Sequence, residues 1–95
     1  MRESEHGLVS FDITPKSKDE DSFGQWLRRQ ISEGRTHMRS CFVGSNGSTI
    51  DWRLGDERIL VTTELVKGIP LRVERYVAAT KGLIKELRQE GILPA

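Results

Sequence analysis

The feature that most constrains this chain is a pair of turn signals, Asn46-Gly47 and Gly55-Asp56, inside the alternating residues 38–65. Each reads as a two-residue hairpin loop, and such a loop fixes the register of the strands it joins. The first turn pairs Val43 with Ile50 and Cys41 with Trp52; the second pairs Trp52 with Ile59 and Ile50 with Val61. Both place Cys41, Val43, Ile50, Trp52, Ile59 and Val61 on one side. Two independent signals thus agree on three antiparallel strands with one buried face.

The other face then carries Ser40, Phe42, Thr49, Asp51, Arg53, Arg58, Leu60 and Thr62. Arg53 and Arg58 lie directly opposite one another, a like-charge pair that costs about a few tenths of a kcal/mol. Asp51 relieves part of that repulsion, and a bound anion would relieve more. An aromatic ring beside two guanidiniums suits single-stranded nucleic acid, because bases stack while phosphates meet charge. The residues expected to form such an interface are Phe42, Arg53, Arg58, Lys67, Ser40 and Thr62.

The flanks supply helices. Ser22-Phe23-Gly24-Gln25 has capping-box spacing, and Phe23, Trp26, Leu27 and Ile31 form one apolar stripe that Gly34 ends. At the C-terminal side, Val73, Tyr76, Val77, Thr80, Leu83, Ile84 and Leu87 recur at helical spacing, predicting a helix over residues 71–89. Gly91 and Pro94 stop it. Residues 66–71 read as a connector or a fourth edge strand, since Pro70 is tolerated at an edge. The expected fold is α+β: a helix, a three- or four-stranded antiparallel meander, and a long C-terminal helix packed on one face of the sheet. Residues 22–95 form this single domain, preceded by a flexible acidic arm, residues 1–21, with edge-strand character at residues 7–13.

Composition narrows the class. The 95 residues are 36% hydrophobic and 31% charged, and no apolar run approaches the roughly 18 residues that span a bilayer. The first residues lack the pattern of a secretory signal. A single cysteine excludes an internal disulfide and fits a reducing compartment, so an intracellular protein, cytoplasmic or nuclear, is expected. Of 15 basic and 14 acidic residues, three and six fall in residues 1–22, leaving 12 and 8, a net charge of +4 beyond the arm. That balance is compatible with a polyanion, and the acidic arm would compete with it.

No catalytic or metal-binding set emerges. On a strand His37 and Cys41 share a face but lie about 13 Å apart, too far for a dyad. His6 sits in the arm with no matching nucleophile, and a buried Cys41 reads as a small hydrophobe. Two histidines and one cysteine, widely scattered, make no zinc spacing. Gly44-Ser45-Asn46-Gly47 joins two strands and opens no helix, so it is a turn and not a phosphate cradle. Neither an enzyme nor a bound cofactor is expected.

Two resemblances bear on the reading. Lys67-Gly68-Ile69-Pro70-Leu71-Arg72-Val73-Glu74-Arg75-Tyr76, with Ile50-Asp51-Trp52-Arg53 upstream, resembles the positive-cofactor-four family of single-stranded-DNA-binding transcriptional coactivators. Over residues 36–90 this likeness implies a curved four-stranded sheet, one helix, a homodimer, and phosphate contacts from Arg53 and Lys67. The chain departs from that family in turning at Leu54-Gly55-Asp56 and in carrying a helix over residues 22–33. The expected order of helix, three strands and helix over residues 22–90 is similar to a double-stranded-RNA-binding domain, with Ala78-Ala79 and Leu83 to Leu87 matching its last helix. The basic cluster that opens that helix in duplex binders is missing here. The expected function is therefore a nucleic-acid-binding accessory or regulatory protein. The alternative is a protein-interaction or scaffold module, dimeric through a sheet edge or a helix, or phage- or virus-encoded, that binds no nucleic acid.

Overall fold

The turn at Gly55-Asp56 closes as expected, with Leu54 paired to Glu57, Trp52 to Ile59 and Ile50 to Val61. Around it, the computed structural model describes residues 2–3, 7–15, 20–68 and 70–94. The elements are β1 (Arg2–Glu3), β2 (Val9–Asp12), α1 (Ser22–Ser32), β3 (Thr36–Gly44), β4 (Gly47–Leu54), β5 (Glu57–Val66), β6 (Arg72–Ala79) and α2 (Lys81–Gln89). All strands pair antiparallel in one sheet of order β1-β2-β6-β5-β4-β3. His6, the linker residues 16–19 and Ile69 lie outside the described residues.

Both helices pack on the same face. Phe23 and Trp26 of α1 and Leu83, Ile84 and Leu87 of α2 share one core with Val9, Leu54, Ile59, Val61, Val77 and Ala79. Every strand residue in that set has the inward parity. Each large side chain so buried contributes about 1.5–3 kcal/mol. The chain is α+β, as its patterning indicates.

The sheet is wider than expected because part of the supposed long helix is strand. Residues 72–79 form β6, paired along its whole length with β5, and the helix begins only at Lys81. Val73 and Val77 satisfy a period of two as well as one near 3.6. β-Branched and aromatic side chains in this stretch favour the strand. The residues that resemble a strand-to-helix junction, 67–76, therefore lead from β5 through a connector into β6. Nor do the described residues of the stretch 66–71 form a separate strand: Val66 ends β5, and residues 67–68 and 70–71 belong to no strand.

β2 is not an edge strand. It lies between β6 and β1, pairing Val9 with Ala79 and Phe11 with Val77, and buries Leu8 and Val9.

Three local details differ from the simple pattern. Asp21, not Ser22, caps α1: its carboxylate accepts the Gly24 N–H at 2.9 Å and also pairs with Arg75 at 2.6 Å. On α1 the buried fourth position is Gln30, whose Oε1 accepts from Arg35 at 2.9 Å, whereas Ile31 is exposed. At the C-terminus, Gly91 takes φ +76° and the N–H groups of Ile92 and Leu93 return to the Leu87 carbonyl, folding Leu93 into the core.

The β3–β4 hairpin carries the largest corrections. Its loop is Ser45-Asn46, with Gly44 opposite Gly47, so the register is displaced by two residues: Cys41 faces Ile50 and Val43 faces Ser48. Gly47 belongs in the ladder because a Cβ there would overlap the Thr63 carbonyl oxygen. A displacement of two preserves which face each side chain takes. A bulge at Arg39, between Met38 and Ser40, does not. Beyond it His37 pairs with Arg53 on the outer face, so His37 and Cys41 lie on opposite faces. Cys41 and Val43 do point to the helix side, but both are exposed, because neither helix covers that end of β3.

Candidate nucleic-acid interface

The face opposite the helices presents rows of side chains that run across neighbouring strands. One row reads His37, Arg53, Arg58; the next Ser40, Asp51, Leu60, Ala78; the next Phe42, Thr49, Thr62, Tyr76, Asp12; and beyond it lie Glu64 and Glu74. Successive rows are about 7 Å apart and strands about 4.8 Å.

The basic row is only partly available to a ligand. Arg58 Nε and Nη2 donate to both oxygens of Asp51, the latter at 2.9 Å, and Asp51 is 6% exposed. This hydrogen bonding raises the Arg58 pKa above its ordinary value, against the opposing effect of desolvation. Arg58 thus anchors a buried carboxylate. Arg53 is exposed; its Nε donates to the Gly55 carbonyl at 3.1 Å, and among the described residues it has no acidic partner. His37 lies beside it in register.

Phe42 is 74% exposed, an apolar ring standing free on the outer face. Next to it the Thr49 and Thr62 hydroxyls meet at 3.2 Å. Phe42 and these threonines line a shallow cleft of about 570 Å³ that extends to Asn46 and Glu64. Tyr76 lies in the same row, about 14 Å from Phe42 across three strand spacings. Its hydroxyl donates to Glu74 at 2.6 Å, which pushes its pKa up to about 12. A second cleft, about 630 Å³, is lined by Asp12, Glu20 and Asp21 among others and is chemically unsuited to phosphate.

Of the six residues expected from the sequence, five share this face: Ser40, Phe42, Arg53, Arg58 and Thr62. Lys67 does not join them. It lies past the end of β5, nine residues and about 30 Å along the chain from Arg58. Tyr76 and His37 were missed. Tyr76 fell on a helical stripe, and only the bulge at Arg39, which no turn signal announces, turns His37 outward.

The face is basic at the β4–β5 turn and carries Glu64 and Glu74 at its other end, where Arg72 pairs with Glu74, with an aromatic and hydroxyl-bearing row between. Among the described residues no group of three or more His, Cys, Asp or Glu is arranged to hold a metal ion. No helix among them is long and apolar enough to cross a membrane. Comparison with family models, curated proteins and solved structures finds no match to this chain.

Proposed function

We propose that this chain binds single-stranded nucleic acid on the uncovered face of its sheet, as an accessory or regulatory protein in the cytoplasm or nucleus. The observation that carries the reading is the joint exposure of Phe42 and Arg53 on the side that neither helix covers. A base stacks on Phe42, its polar edge meets the Thr49 and Thr62 hydroxyls, and the backbone runs towards Arg53 and His37. Duplex nucleic acid fits less well, because its bases are already stacked and the basic row is short. Arg58 serves as a structural anchor, and Lys67 is too remote to belong to the same contact. The reading rests on this face and not on the likeness at Lys67 to Tyr76, whose helix is replaced by β6.

Fluorescence anisotropy with a labelled oligothymidylate at low and high salt tests it. Binding should weaken steeply with salt, and Arg53→Ala should flatten the slope of log K against log salt by about 0.7. Phe42→Ala should cost about 1–3 kcal/mol of affinity, the worth of one stacked base. An absence of low-salt binding, or binding indifferent to both substitutions, overturns the reading.

A further inference from the structure

We propose that β3 is a homodimerisation edge, two copies pairing their β3 strands antiparallel about a two-fold axis at Phe42. Among the described residues β3 ends the sheet, and from His37 to Gly44 every residue is exposed. Sheet edges are usually blunted by brevity, proline, charged side chains or a bulge. β3 has nine residues and no proline or lysine, and its arginine and its bulge coincide at Arg39, which leaves residues 40–44 without such a device. Three of its side chains are large, apolar and open: Met38 at 56%, Phe42 at 74% and Val43 at 73% exposed. Phe42 stands on the outer face and Met38 and Val43 on the helix face, so apolar surface lines both sides of the open edge.

Hydrogen-bond parity selects the groups that reach across. In a two-residue hairpin the residues flanking the loop exchange backbone bonds, so Gly44, Phe42 and Ser40 bond towards β4. Cys41 and Val43 therefore direct their N–H and C=O groups at the open edge. An axis at Phe42 pairs Cys41 of each copy with Val43 of the other, using all four groups per copy. It also sets the two Phe42 rings side by side, a favourable cross-strand pair.

Charge favours a second copy over a foreign strand. Residues 40–44 carry no charge, so neither an acidic nor a basic peptide gains anything along them. In this register Arg39 faces Ser45 of the other copy, and the two guanidiniums stand roughly 20 Å apart along the strand. Axes nearer Arg39 bring them together. A single strand pair falls short of the roughly 800 Å² per partner of a standard interface, so the dimer depends on concentration.

Sedimentation equilibrium of the full chain, without nucleic acid, tests the proposal separately from the binding reading. The wild type should show a monomer–dimer equilibrium. A short bismaleimide should join the two Cys41 thiols, which as diagonal neighbours lie about 7–8 Å apart. Val43→Lys, at an exposed position, should weaken dimerisation at least tenfold with unchanged circular dichroism. Val43→Pro, which removes only an edge-facing N–H, should do the same. A chain that stays monomeric at every concentration overturns the proposal, as does a dimer that neither substitution weakens. A mass showing a different protein bound at β3, with no self-association, also overturns it.

Discussion

Arg58 holds both carboxylate oxygens of Asp51 from the adjacent strand, at 2.9–3.2 Å, while its other neighbour in register is Arg53. The like-charge opposition is resolved by pairing one guanidinium internally and leaving the other for solvent or ligand. The two arginines therefore differ in kind, although sequence patterning treats them alike.

That difference is measurable. Arg58→Ala removes the ion-pair partner of the Asp51 carboxylate, whose side chain is 8% exposed, and should lower stability by about 1–2 kcal/mol. This is less than the roughly 3–5 kcal/mol of a fully buried pair, since Arg58 itself is more than a third exposed. Arg53→Ala should change stability by less than about 0.5 kcal/mol. Urea denaturation of the two variants separates the roles; equal losses would contradict the assignment.

Tyr76 is the only tyrosine, so its titration can be read directly from tyrosinate absorbance. Its hydrogen bond to Glu74 raises its pKa from the ordinary 10.0 to about 12. The protonated form is thus favoured in the fold. The stabilisation is complete below pH 10 and is lost as pH rises through about 12. Glu74→Ala should bring the titration back towards the ordinary value. A midpoint unchanged by that substitution would show that Glu74 is not the cause.

Gly47 and Gly68 make a paired test of the hairpin register. A Cβ on Gly47 runs into the Thr63 carbonyl and the backbone of Glu64, neither of which can withdraw without breaking the β4–β5 ladder. Gly47→Ala should cost about 2–3 kcal/mol. At Gly68 the nearest atom is 3.8 Å from such a Cβ, so Gly68→Ala should be neutral within about 0.5 kcal/mol. Thermal melts of both variants check this, and a neutral Gly47→Ala would mean that the turn lies elsewhere.

Much of this architecture is written in short-range signals. Gly55-Asp56 forms its expected turn, and the shared parity of Ile50, Trp52, Ile59 and Val61 follows from it. Where two periods fit the same residues, the local pattern misleads: Val73, Tyr76 and Val77 suit a helix, and only the partner strand β5 decides otherwise. The bulge at Arg39 depends on how β3 meets β4, and a one-residue slip there reverses His37. The exposure of Cys41 and Val43 is set by how far the helices extend, which strand periodicity cannot encode. Arg53 and Thr62 were legible because the β4–β5 register is the expected one, and Phe42 because parity survives a register error of two. Tyr76 was not, because its element was misread.

Amide chemical-shift mapping with a short unlabelled oligothymidylate tests the central claim most directly. The account predicts perturbations concentrated on β3, β4 and β5 around Phe42, Thr49, Arg53 and Thr62, with α1 and α2 unaffected. Perturbations confined to α2 or to the acidic cleft at Asp12 and Asp21, or none at all, would contradict it.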